Sequence, residues 1–117
     1  MKNKREDLDY LNDIFQSIND IEEFSRGMSL TEFANDKRTA FAVIRAFEVI
    51  GEASKRISES IKMKYPFIEW EKISGFRDKL IHDYSGIDIE VVFQTIIDDI
   101  PAFKPQIKSV IENETLK

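Results

Sequence analysis

Between Arg77 and Tyr84 the chain places a permanent cation, an imidazole and a phenol within eight positions, in the run Gly75-Phe76-Arg77-Asp78-Lys79-Leu80-Ile81-His82-Asp83-Tyr84. Residue types of this kind suit phosphodiester chemistry. Cleaving RNA through its own 2'-hydroxyl needs a base of near-neutral pKa, an acid for the leaving oxygen and a cation for the charge that builds on phosphorus. Histidine and arginine can supply all three without a metal. His82 is the only histidine in the chain and cysteine is absent, so a three-histidine zinc site, an HExxH site and a cysteine nucleophile are excluded within one subunit. Glycines 27, 51, 75 and 86 are too scattered for a phosphate-cradling loop.

Helical geometry sets limits on how these groups meet. At 3.6 residues per turn, Arg77 and Tyr84 lie about 20° apart, whereas Arg77 and His82 lie about 140° apart. His82 falls where the helix should end, so its side chain can turn toward Arg77 or toward a symmetry mate. A second subunit would supply a second histidine, giving both a base and an acid. Asp78 precedes His82 by four residues and can orient the imidazole across one turn, favouring its protonated form. The plain alternatives are that His82 only satisfies the last carbonyls of a helix and that Arg77 makes a surface ion pair. Composition alone favours these.

The elements that must carry these groups are helical. Leu8, Leu11, Ile14, Phe15, Ile18, Ile21 and Phe24 recur at intervals of three and four, which predicts a first helix ending near Arg26 with Gly27 as its cap. Ser29 and Glu32 have the capping-box spacing for a short second helix. Phe41, Ile44, Phe47, Ile50, Ile57 and Ile61 predict one long third helix over 37–64. Gly51 inside it costs about 1 kcal/mol relative to alanine, which implies that another helix comes close there. Tyr65-Pro66 ends that element. A fourth helix is expected over 69–82, with Trp70, Ile73, Phe76, Leu80 and Ile81 facing inward. A fifth is expected from a cap at Asp88 to Ile100, carrying Val91, Val92, Ile96 and Ile97. Pro101 and Pro105 should leave only a last turn or two, 107–111. The expectation is an all-α, up-and-down antiparallel bundle, with residues 1–117 forming a single helical domain.

A net charge of -5 argues against indiscriminate nucleic-acid binding, but the charge is unevenly spread. Residues 1–36 carry 4 basic and 9 acidic side chains, 37–79 carry 10 and 6, and 80–117 carry 3 and 7. A basic middle between acidic ends can steer a phosphate-bearing ligand to one surface. Lys55, Arg56, Lys72 and Lys79 are candidates to hold an RNA backbone, although ordinary solvent exposure explains their spacing equally well. Phe41, Phe47, Trp70 and Phe76 could stack bases, but their helical spacing points to core packing. No stretch reaches the length of an apolar membrane span, and the polar start lacks the apolar run of a signal peptide, so a cytoplasmic protein is expected.

Arg77 to Tyr84 reads R-x4-H-x-Y, and this stretch resembles the signature of HEPN domains, in particular the HepT-like toxins encoded beside a minimal nucleotidyltransferase (MNT) antitoxin. Ala42-Val43-Ile44-Arg45 followed by Glu48-Val49-Ile50-Gly51-Glu52-Ala53 is similar to that family's long-helix motif. Pro66, Trp70, Ile73, Gly75 and Phe76 also fall where its pattern leads into the arginine, and Tyr84-Ser85-Gly86-Ile87-Asp88 continues it. The resemblance implies a homodimer in which the two motifs meet at a cleft, with metal-independent cleavage of transfer or messenger RNA and no cofactor. It makes Arg77 and His82 the catalytic pair, with Asp78 and Tyr84 in support. Asp78 stands where the family often has asparagine. The resemblance further implies a nucleotidyltransferase antitoxin that neutralises the toxin, with Tyr84 as the acceptor of an adenylyl group. The competing expectation is a binding module that recognises nucleotides or substrate beside a nucleotidyltransferase and cuts nothing.

Overall fold

The computed structural model describes residues 5–82 and 87–116, the side chains of residues 81 and 82 excepted. The described residues form helices and no strand. In chain order the helices are α1 Asp7–Ser25, α2 Leu30–Asn35, α3 Lys37–Arg56, α4 Glu59–Lys64, α5 Trp70–His82, α6 Ile89–Asp98 and α7 Ile100–Thr115. This is the expected all-α bundle.

The apolar stripe of α1 is its centre. Leu11, Ile14, Ile18 and Ile21 are completely buried, and α1 packs on α3 along one side and on α7 along the other. Burying an aliphatic side chain of this size contributes roughly 1.5–3 kcal/mol each. The stripe stops before Phe24, which is half exposed. Gly27 follows with a φ of 75°, the left-handed conformation that ends the helix as expected. At α2 the Ser29 hydroxyl accepts from the Glu32 backbone N–H at 3.1 Å, and a Glu32 oxygen accepts from the Ser29 N–H at 2.8 Å. The capping box is therefore formed.

Polar contacts give the helix directions. Asp7, at the start of α1, accepts from the Ser58 N–H at 2.8 Å and from its hydroxyl at 2.7 Å, just past the end of α3. Lys104, early in α7, meets Glu22, late in α1, at 2.7 Å. Both α3 and α7 thus run antiparallel to α1.

Two expectations need correction. The long helix over 37–64 is broken: Ile57 is extended (φ -64°, ψ 137°), and Ser58 caps a separate α4 by accepting from the Ile61 N–H. The apolar period continues through the break because Ile57 and Ile61 are both buried, and periodicity alone cannot show a cap. The end of the chain is also more regular than expected. Pro101 sits in the first turn of α7, where its missing N–H costs nothing, and Pro105 is accommodated inside the helix. Ile100, Phe103, Ile107 and Val110, spaced by three and four, are buried. That burial offsets the hydrogen bond that Pro105 cannot make. In α6, Val92 and Ile96 face inward while Val91 and Ile97 are exposed.

Candidate active site

The α3–α5 contact is built around one close approach. A Cβ built at Gly51 would overlap the Cβ of Arg77 and lie 2.5 Å from its Cγ. The aliphatic stem of Arg77 therefore rests on the bare backbone of α3, which is why glycine is tolerated inside a helix. One turn earlier Phe47 and Phe76 pack edge to face, with ring centres 5.2 Å apart. These contacts fix where the guanidinium can reach.

It reaches a set of alternating charges. Arg77 Nη2 lies 3.0 Å from Glu52 Oε1, and Nη1 lies 3.2 Å from Asp78 Oδ1. The other Glu52 oxygen accepts from Arg56 Nε and Nη2, both at 3.0 Å. Asp78 Oδ1 also accepts from Lys55 Nζ at 2.6 Å. The Lys55 and Arg77 contacts hold the Asp78 carboxyl below its ordinary range. Three cations and two carboxylates thus share one surface, and their sum is positive in a chain whose total is negative. Arg77 Nε is buried with no hydrogen-bond partner among the described residues. Of the two outer nitrogens, Nη1 donates to Asp78 and Nη2 is ion-paired with Glu52.

The ion pair expected as the plain alternative for Arg77 is present, but its side chain is only 24% exposed. The arginine is therefore a positioned group and not a loose surface cation. Asp78 was expected to orient His82. Its Oδ1 accepts from Lys55 and Arg77, and whether it also meets the imidazole lies outside the described residues. His82 is the last residue of α5, while its side chain and all of Tyr84 lie outside the described residues.

The four candidate RNA-holding residues divide into two pairs. Lys55 and Arg56 join the Arg77 cluster. Lys72 and Lys79 lie on another side of α5, lining a cleft of about 450 Å³ with Ile73, Phe76, Val91 and Phe103. The described lining of that cleft includes none of Glu52, Arg77 and Asp78. Among the aromatics, Phe47 and Trp70 are buried and Phe76 is partly buried, as core packing predicts, whereas Phe41 is 60% exposed. Glu52 is the residue that sequence reasoning passed over. Its signal was its place beside Gly51, since a side chain next to a point of close approach can reach across it.

Among the described residues, no helix is long and apolar enough to cross a membrane. A family model described as ribonuclease HepT-like matches residues 14–110. The chain is 50% identical over 101 residues to a protein of Thermococcus cleftensis named as a probable ribonuclease HepT, covering 86% of this chain and 92% of that one. It is 41% identical over 110 residues to a candidate RNase of Methanocaldococcus jannaschii, covering 94% and 91%. A candidate RNase of Caldanaerobacter subterraneus is 34% identical over 105 residues, covering 90% and 94%. No solved structure matches at comparable stringency. With the family model spanning most of the chain and relatives matching nearly end to end, the protein belongs to the HepT-like ribonuclease family of HEPN domains.

Proposed function

We propose that this protein is a metal-independent endoribonuclease and the toxin of a toxin-antitoxin pair. The observation that carries the reading is the placement of Arg77. Its stem is seated on Gly51, its guanidinium is held by Glu52 and Asp78, and it lies one helical turn and a residue before His82 on the same helix. The names of the relatives support RNA as the substrate.

In this reading Arg77 binds the scissile phosphate and stabilises the charge that develops on it. His82 takes the proton of the 2'-hydroxyl, whose oxygen attacks phosphorus. The 5'-oxygen leaves, receives a proton and departs with the downstream strand, leaving a cyclic phosphate. A homodimer would bring a second His82, so that one imidazole accepts a proton while the other gives one. Tyr84 would line the site, as the family resemblance implies. Adenylylation of its phenol by a partner nucleotidyltransferase would add a phosphate and a nucleoside beside Arg77, closing the site by bulk and by charge.

The test is growth after induced expression of wild type, His82→Ala and Arg77→Ala without a neighbouring antitoxin gene, with total RNA examined in the same cultures and folding checked by circular dichroism. Arrest and RNA fragmentation by wild type alone support the reading. Equal behaviour of all three at equal abundance removes the catalytic assignment and leaves a binding module.

A further inference from the structure

The outer face of α3 extends the Arg77 cluster in one direction. Taking Phe41 as the origin at 100° per residue, Arg38, Arg45, Glu48, Glu52, Lys55 and Arg56 all fall within roughly 60° of it. One stripe therefore runs from the first turn of α3 to the residues that hold Arg77. Lys37 and Arg38 are exposed at its start. Arg45 has 75% of its side chain in solvent, with one ion-pair contact among the described residues, to Glu48 at 3.8 Å. Phe41 stands between Arg38 and Arg45 and is the one large apolar side chain of α3 that is strongly exposed. The basic middle of the sequence is here drawn out into a line.

Resting on the ribonuclease reading, we infer that this stripe is a track for single-stranded RNA, with a base stacked on Phe41 and the flanking phosphates on Arg38 and Arg45. Phe41 and Glu52 are eleven residues apart, about 16 Å along the helix, so the stacked base lies a few nucleotides from the phosphate at Arg77. An exposed aromatic ring between arginines is the pairing that single-stranded nucleic acid uses, because every base has a stacking face and every linkage has a charge. A second copy of the chain fits this face less well. The face is mostly charged and offers a single apolar anchor, whereas the buried centre of a stable subunit interface is depleted in charge.

The experiment measures binding of a fluorescein-labelled, 2'-O-methylated 12-mer RNA, which cannot be cut through its 2'-hydroxyls, to the full-length protein by fluorescence anisotropy. Wild type is compared with Phe41→Ala, Phe41→Trp and Arg45→Gln, and the mass of each is measured by light scattering. Phe41→Ala should weaken binding by roughly 5- to 100-fold, while tryptophan retains it. Arg45→Gln should lower the slope of log affinity against log salt by about 0.7. Affinity within two-fold of wild type for Phe41→Ala, in a protein that still cleaves RNA, overturns the track and spares the ribonuclease. A fall in mass for Phe41→Ala also overturns it, because the face then belongs to another copy. Wild type that neither binds nor cleaves RNA overturns both readings together.

Discussion

Replacing Gly51 with alanine sets two physical effects of opposite sign against each other. Alanine is about 1 kcal/mol better than glycine inside a helix, so propensity alone predicts a more stable protein. The structure predicts the reverse. The added methyl group would overlap the Arg77 Cβ and lie 2.5 Å from Cγ, where about 3.5–4 Å is the comfortable separation of carbon atoms. These atoms belong to the root of the side chain and cannot swing aside, so α5 must recede from α3 by at least about 1 Å. Overpacking of this kind costs about 1–3 kcal/mol, and after the propensity gain the net loss should reach up to about 2 kcal/mol. For a chain of this length that lowers Tm by up to roughly 8 °C, readable by differential scanning calorimetry. Cleavage should suffer more than stability. The receding helix draws Arg77 away from Glu52, and a displacement of about 1 Å at a reacting group can cost about 100-fold in rate. Gly75→Ala is the matched control, since nothing lies within 4 Å of a Cβ there, and it should gain roughly 0.5–1 kcal/mol. A Tm for Gly51→Ala that rises in step with Gly75→Ala, with cleavage intact, would refute the close-approach argument.

Glu52→Gln keeps the shape of the side chain but removes the charge between Arg56 and Arg77. With a defined RNA substrate, kcat should fall roughly 10- to 100-fold with a smaller change in KM, and an unchanged kcat would show that Glu52 does not position Arg77. Ser58→Ala removes the cap of α4 and the hydroxyl's bond to Asp7 while leaving the backbone N–H bond, and urea unfolding should register a loss of about 1–2 kcal/mol. Glu114 accepts from Lys64 at 2.8 Å and from the Tyr65 hydroxyl at 2.6 Å, and these contacts hold its carboxyl below its ordinary value of 4.5. A carboxyl depressed in the folded state stabilises it above the ordinary value and loses that effect as pH falls through the folded one. Wild type should therefore shed urea stability below about pH 4.5 more steeply than Glu114→Gln, and parallel curves for the two proteins would count against that linkage.

The elements that bury a periodic stripe could be read from the sequence. Leu11, Ile14, Ile18 and Ile21 gave α1, and Ser29 with Glu32 gave the start of α2, because spacing and capping act over a few residues. The break at Ile57 was hidden because both sides of it continue the apolar period, and the deciding bonds come from Asp7, 51 residues away. The length of α7 was hidden because proline is read as a local breaker, while the burial of Ile107 and Val110 that outweighs it is tertiary. At the site, Gly51 announced that something approaches, and Arg77 announced a cation. That the two were the same contact, and that Glu52 beside the glycine would receive the guanidinium, depended on how α5 lies on α3. The spread of basic residues was visible as a total, but only the fold aligned Arg38, Phe41 and Arg45 with the cluster and turned Lys72 and Lys79 away from it.

Arg77 meets no incoming anion as a bare charge. Glu52 and Asp78 already occupy it, so any newcomer must win its place by exchange. Chloride or free inorganic phosphate enters that contest as a small, untethered anion. A polymer tethered at several neighbouring points arrives at high effective concentration and can displace a carboxylate that a free ion cannot. On the proposed reading, the resident counter-ions would act as a threshold, keeping the arginine occupied amid small anions and yielding it to a strand that is already held elsewhere.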